Sequence, residues 1–523
     1  MAEASGTRTT PGEDARAMGA VAAGLLVCGT ASGAGKSVVA AGICRWLVRQ
    51  GVKVAPFKAQ NMALNSAVTP DGAEIGRAQV AQAAAAGVAP EAAMNPILLK
   101  PTGERTSQVV VMGQPLATVD AGSYQRLKPR LRAVVLEALG DLRERFDVVV
   151  CEGAGSPAEI NLRAGDLVNM GLARAAGLPV VVVGDIDRGG VFASLFGTLA
   201  LLDAADQALV AGFLVNKFRG DAALLAPGLE RLHRLTGRPV LGVLPWRQGL
   251  WLDAEDSLAL GAPRDPPPPR GADPLQVAVV RLRWLSNFTD FDALAAEPGV
   301  AVRFTSSPAD VLGADLAVLP GTKATVEDLA WLRARGLDRA LLERARRGQP
   351  TLGICGGYQM LGERIVDRVE SGAGEVAGLG LLPVETVFAA GKVLGNPTGT
   401  AVDLGVPAAG YEIHHGRTHA FGGAPVLASD GGDPGCRSGA VVGIAWHGIF
   451  EGDEFRRAFL GWVAAERGLD WRPGERPFAA VREEWLDALG DLIAEHADTA
   501  ALERLIDHGA PTGLPFVPPG APR

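Results

Sequence analysis

The stretch Gly29-Thr30-Ala31-Ser32-Gly33-Ala34-Gly35-Lys36-Ser37 closes an apolar run, VAAGLLVCG at 21–29, and opens a helical pattern from Gly35 to about Gln50. A strand that turns through glycines into a helix aims successive backbone N–H groups at one point, and the helix N-terminus adds positive potential there. An anion fits that point. Thr30, Gly33 and Gly35 shape the cradle, Lys36 reaches the outer phosphates of a nucleotide, and the Ser37 hydroxyl is placed to ligate Mg²⁺. Glycine is needed at 33 and 35 because a Cβ would block close approach to the phosphate. The spacing departs from the usual phosphate loop, since Thr30 stands where a glycine is expected and Gly29 lies one position earlier. An ordinary tight turn is the plain alternative; the strand–loop–helix context favours a triphosphate site, with ATP and Mg²⁺ as cofactors.

Further apolar runs follow at VKVAPF, FDVVVCEG, LPVVVVGDID, ALVAGFLVNKF and RPVLGVLP, separated by helical patterns. Short, fully apolar strands alternating with helices mean a parallel sheet covered on both faces. Glu152 ends the strand FDVVVCE, where ligands of such sheets gather, and is the first candidate to hold the metal with Ser37. Asn216 and Lys217 end another strand, and the Asn216 amide is a candidate for reading the nucleotide. The run RDPPPPRGADP then interrupts the alternation, because four prolines join neither helix nor sheet. The expected organisation is a leader at 1–19, an α/β domain at 20–262, a linker at 263–274, a second α/β domain at 275–467, and a helical segment with a mobile tail at 468–523. No internal repeat is evident.

Composition narrows the function. The 523 residues are 48% hydrophobic and 21% charged, a balance suited to folded domains. Lysine plus arginine number 50 against 58 acidic residues, a net charge of −8, which argues against nucleic acid as the main partner. Five scattered cysteines form no disulfide framework and no zinc pattern. The stretch 18–29 resembles the core of a signal peptide, but acidic residues precede it and a glycine loop follows, so it reads as a buried strand. No run is apolar enough over about twenty residues to span a membrane. A cytoplasmic protein is expected, with a homo-oligomer left open.

The second sharp signal is Thr351-Leu352-Gly353-Ile354-Cys355-Gly356-Gly357-Tyr358-Gln359. A strand that enters a helix through a strained turn exposes its central side chain, here Cys355, as a nucleophile. The Gly356 N–H, with a neighbouring loop such as Gly321, can form an oxyanion hole. Cys28, Cys44 and Cys151 lie in or beside apolar runs and read as inert core. His447, at the end of VVGIAWHG, is the candidate base; His414, His415 and His419 read equally well as a polar loop beside the pocket. For a third, orienting carboxylate, Glu451 is the nearest acidic residue in sequence.

Together the two constellations resemble a known arrangement. The first domain is similar to the dethiobiotin synthetase-type P-loop fold, and the C-terminal one is similar to a class I glutamine amidotransferase of flavodoxin-like architecture. QNMALNS at 60–66, EIGRAQ at 74–79, MNPILLKP at 94–101, DIDRGGVF at 185–192, NKFRGD at 216–221, GICGGYQMLG at 353–362 and YEIHHGRT at 411–418 resemble the cobyrinic and cobyric acid synthase group, and within it the cobyric acid synthase family. The likeness covers about residues 22–465. It implies two doubly wound parallel-sheet domains and an ATP-dependent, glutamine-hydrolysing amide ligase. Its substrates would be L-glutamine and a corrinoid polycarboxylate, amidated at the b, d, e and g carboxylates of adenosylcobyrinic acid a,c-diamide in cobalamin biosynthesis. It further implies Cys355 as glutaminase nucleophile, His447 as base, and Glu74 as a magnesium ligand beside Ser37 and Glu152. Many class I amidotransferases carry a glutamate two residues after the histidine, where this chain has Ile449. A polycarboxylate also asks for cations, and Lys58, Lys100, Arg105, Arg188 and Arg219 are expected in loops of the first domain.

Three other readings compete. The a,c-diamide-forming relative and CTP synthase share the two-domain plan; QNMALNS argues against the first and the missing His-x-Glu pair against the second. A P-loop ATPase switch with a non-catalytic amidotransferase-like domain is the reading from another class, and Ala31, where such switches place a second lysine, argues against it.

Overall fold

The computed structural model describes residues 23–103, 105–247 and 266–518. The expected leader at 1–19 and the start of the proline linker lie outside them.

The first domain is built on six parallel strands: β1 (Ala23–Gly29), β2 (Val54–Phe57), β3 (Val148–Glu152), β4 (Val180–Asp185), β5 (Val210–Phe218) and β6 (Val240–Pro245). Their order, β6-β5-β4-β1-β3-β2, puts β1 in the centre. Every residue of β3 is buried, and apolar clusters pack on both faces of the sheet, as unbroken valine runs require. The order reverses on either side of β1, so Thr30, Glu152 and Asp185 gather at one carboxyl edge. Helix α1 (Lys36–Arg49) leaves that edge. The described part of the stretch 18–29, Ala23–Gly29, is thus a core strand.

An antiparallel side sheet is not legible in the sequence pattern. Ile97–Pro101, Thr106–Val111 and Gln114–Asp120 form a meander beside the strand Gln60–Met62.

The second domain repeats the plan with β7 (Leu275–Val280), β8 (Val300–Thr305), β9 (Leu316–Leu319), β10 (Thr351–Ile354), β11 (Cys436–Ser438) and β12 (Val441–Ile444). The order is β8-β7-β9-β10-β12-β11, parallel except for β11. The helical pattern at 326–347 is broken in two at Gly336, whose φ of 71° ends Thr325–Ala334 and starts Leu337–Arg346.

The C-terminal segment returns to the first domain. Helices α2 (Phe478–His496) and α3 (Thr499–His508) pack on the first domain, where Leu486, Leu489, Leu492 and Ile493 join the core beneath α1. Each large apolar side chain buried there contributes about 1.5–3 kcal/mol. A Cβ on Gly42 would lie 2.7 Å from the Leu489 carbonyl oxygen, so that glycine lets the two helices approach closely. Arg45 pairs with Asp487 and Arg49 with Asp491 across the same seam. The described part of the tail expected to be mobile is held as well: the Val517 backbone exchanges hydrogen bonds with the Gln207 side chain at 2.8 Å.

Candidate active site

At the phosphate loop, the Thr30 N–H bonds the Val183 carbonyl, fixing the start of the turn. Gly33 and Gly35 have φ of 74° and 96°, a region that side chains disfavour. Lys36 is buried and donates to the carbonyls of Ala31 and Gly155, both at 3.1 Å. Asn216 does not face outward: its amide donates to Ala34 at 3.0 Å, and a Cβ on Gly35 would fall 2.1 Å from that nitrogen. Lys217 donates to the Gly33 carbonyl and to Asp185. These two residues therefore support the loop from below.

The Ser37 hydroxyl donates to Glu152 at 2.8 Å. Glu152 is fully buried and also accepts from Lys58 at 3.0 Å and Gln82 at 2.5 Å. Burial alone would raise its pKa; the Lys58 charge and the hydrogen bonds hold it below the ordinary value, so it stays a carboxylate. Hydroxyl and carboxylate side by side, next to a phosphate cradle, form a hard-oxygen donor pair of the kind that suits Mg²⁺. Glu74 does not join them. Its carboxylate accepts from Ser66 and from the ammonium groups of Lys100 and Lys392, which satisfy it without a metal. Lys392 belongs to the second domain, so Glu74 ties the domains together.

Other expected cations are also spoken for. Lys58 and Lys100 are buried on carboxylates, while Arg188 and Arg219 pair with Asp185 and Asp187. Arg105 lines an open cleft.

Cys355 sits between β10 and the short helix Gly356–Leu361 with φ 49° and ψ −110°, a strained conformation for a side-chain-bearing residue. Tight packing holds it there: a Cβ on Gly357 would lie 1.8 Å from the Leu319 carbonyl oxygen. The thiol and the His447 ring line one cavity. Burial pushes it upward, yet the His447 charge and hydrogen bond, with the Gly356 N–H, bring it below the ordinary thiol value. Burial depresses His447 in turn, while Asp290 and Cys355 raise it to about 10. Each partner thus favours the charged form of the other. Cys28, Cys44, Cys151 and Cys436 are all pushed upward by burial.

The orienting carboxylate is Asp290, which the sequence reading missed. Its Oδ2 lies 2.7 Å from His447 Nδ1, and its Oδ1 accepts the Gly448 N–H at 2.8 Å. Glu451 instead bonds Arg77 of the first domain and Arg482, because the turn after Gly448 carries it away from the ring. A signal was available: Asp290 lies in a short turn between two phenylalanines, beyond the carboxyl end of β7. Tyr411 stacks on the His447 ring at 5.5 Å, and the two residues exchange backbone hydrogen bonds. His414 and His415 line the same cavity, whereas His419 is exposed on a strand.

That cavity measures about 30 Å³. It holds about one water. Lys323 and Glu370, ion-paired with each other, line both it and an outer cleft of about 370 Å³.

The fold and the two sites define a nucleotide-binding domain joined to a cysteine amidotransferase domain. Residues 25–259 match the CobQ/CobB/MinD/ParA nucleotide binding domain, and residues 276–455 match the CobB/CobQ-like glutamine amidotransferase domain. The chain is 62% identical to a cobyric acid synthase of Frankia casuarinae and 62% identical to one of Streptomyces coelicolor, each over 95% of this chain and 99% of the relative. A cobyric acid synthase of Nocardia farcinica is 59% identical over 95% of this chain and 99% of that relative. The chain belongs to the cobyric acid synthase family.

Proposed function

We propose that the protein uses ATP and L-glutamine to amidate the b, d, e and g carboxylates of adenosylcobyrinic acid a,c-diamide, working in the cytoplasm on the way to adenosylcobalamin. The Cys355 thiolate attacks the glutamine carboxamide carbon, His447 protonates the departing ammonia, and water then releases glutamate from the thioester. Asp290 keeps the imidazole oriented. In the first domain a substrate carboxylate oxygen attacks the γ-phosphorus, the bond to the bridging oxygen breaks, and ADP leaves. Ammonia then attacks the acyl carbon; a C–N bond forms, the C–O bond to phosphate breaks, and the surplus proton and inorganic phosphate depart. Activation is needed because hydroxide is a poor leaving group from a carboxylate at neutral pH. Bound at Ser37 and Glu152, Mg²⁺ supplies charge neutralisation at the phosphates, alongside Lys36.

The observation carrying this reading is one chain holding a Cys355–His447–Asp290 triad and a Lys36–Ser37–Glu152 phosphate site, with Glu74–Lys392 and Arg77–Glu451 joining the domains that bear them. Enclosed transfer keeps ammonia from becoming ammonium in solvent. Incubation with ATP, glutamine and cobyrinic acid a,c-diamide should raise the corrinoid mass in four successive amide steps. A mass that never changes, with both co-substrates present, overturns the reading.

A further inference from the structure

A cleft of about 720 Å³ opens beside the phosphate loop, with Ser32 and Gly155 among its lining residues. Gly155 is the residue whose carbonyl holds the Lys36 ammonium, so the cleft begins where the outer phosphate of a bound nucleotide lies. One wall is the antiparallel side sheet and the first turns of the helix Ala121–Arg145; the other is the segment from Ala154 to Asn169. Its apolar lining comes from Met62, Leu99, Val119, Tyr124, Leu162 and Leu167. Met62 and Leu162 are 54% and 48% exposed, unusual for large apolar side chains in a concave site that nothing else covers.

The charged lining is unequal. Asp120 and Asp166 spend their carboxylates on backbone N–H groups of Ser123 and of Val168, Asn169 and Gly171. Glu159 remains as the acid of the rim. Lys128 stands 5.8 Å from the Tyr124 ring centre and forms no ion pair among the described residues. Burial lowers its pKa, and the nearby Asp166 charge offsets this only in part. Arg105 lies on the hairpin between two strands of the side sheet and likewise lines the cleft.

We propose that this cleft seats the substrate as a flat apolar macrocycle with carboxylates around its edge, one ring face against Leu162, Met62 and Tyr124 and its acidic arms toward Lys128, Arg105 and the phosphate loop. The assignment rests on the corrinoid reading above and adds the place and manner of binding. Apolar contact is non-directional, so the ring can reseat in its own plane without losing its main contact. A clamp of fixed ion pairs would offer one carboxylate only. One phosphate loop serving four carboxylates requires the first arrangement, and a few cations on apolar walls provide it.

The test titrates the absorbance of cobyrinic acid a,c-diamide with the full-length wild type, Leu162→Asp and Lys128→Glu, with ATP binding to each protein as the check on folding. Each substitution puts a negative charge where the ring or its carboxylates bind, and should weaken corrinoid affinity by about tenfold or more, a loss of at least about 1.4 kcal/mol. Wild-type affinity in both ATP-binding variants would overturn the cleft assignment while the four-step mass change keeps the functional reading intact. A wild type that neither binds nor amidates the diamide would overturn the functional reading itself.

Discussion

Asp290 and His447 are 157 residues apart in sequence, yet their carboxylate and imidazole meet at 2.7 Å, fully enclosed by the second domain. The turn bearing Asp290 is clamped to the first domain by reciprocal bonds: Asn287 accepts the Ser66 N–H at 2.9 Å, and Asn65 accepts the Phe288 N–H at 3.3 Å. The base of the glutaminase site is therefore positioned from both domains.

Replacing Asp290 with asparagine removes the charge that orients and sustains the His447 imidazolium. A charged hydrogen bond contributes about 1.5–3 kcal/mol, so glutamine hydrolysis should slow about 10- to 100-fold. Synthesis fed by ammonium should hold its rate, and steady-state assays with the two nitrogen donors read the split. Glu451→Gln should slow glutamine hydrolysis much less; a larger loss there would restore Glu451 to the orienting role.

The pH profile of Cys355 alkylation by iodoacetamide has a definite sign. With the thiol held below its ordinary value, the reactive thiolate should persist to lower pH than an ordinary thiol allows, and the imidazolium should lose its proton near pH 10. In His447→Ala, burial acts unopposed and the alkylation profile should move above the ordinary thiol value of about 8.5. An unmoved profile in that variant would dissolve the ion pair.

Lys36→Ala should abolish amide formation with glutamine and with ammonium alike, because both nitrogen donors need the activated carboxylate. Product mass is the readout, with ammonium at saturating concentration. Wild-type ATP-dependent turnover would remove the phosphate-loop assignment.

Glu74→Ala should cost stability rather than chemistry. It leaves Lys100 and Lys392 buried without their carboxylate, which costs about 3–5 kcal/mol in denaturant unfolding. The Glu74 pKa is held far below its ordinary value: burial opposes this, but the two lysine charges outweigh it. Its contribution is thus complete at neutral pH and is lost as pH falls from the ordinary carboxylate value toward the folded one. A cost under about 1 kcal/mol would mean that water fills the site.

Both parallel sheets could be read from the chain because their strands are short, continuous and apolar, and both loops because glycine marks the turns at Gly33, Gly35, Gly353 and Gly357. What sequence left hidden is long-range. Asp290 stands beside Asp292 in NFTDFDALA, where nothing local tells the two apart, and only folding brings the end of β7 beside His447. Asn216 read as a pocket-facing amide because a strand end gives no sign of which neighbour its side chain meets; here that neighbour is Ala34 of the loop. Glu74 looked like a metal ligand by position, and Lys392, 318 residues away, supplies the partner that changes its role. Helix α2 had an apolar face, but nothing local told whether it covered the second domain or returned to α1.

Separate measurement of glutamine-fed and ammonium-fed synthesis in Cys355→Ala tests the two-site account most directly. Alanine removes the thiolate that forms the glutamyl thioester and leaves Lys36, Ser37 and Glu152 untouched. Glutamine-fed synthesis should fall to background, while ammonium-fed synthesis at raised pH, where more free ammonia exists, should continue near the wild-type rate. Equal loss of both in a folded, ATP-binding protein would contradict the account.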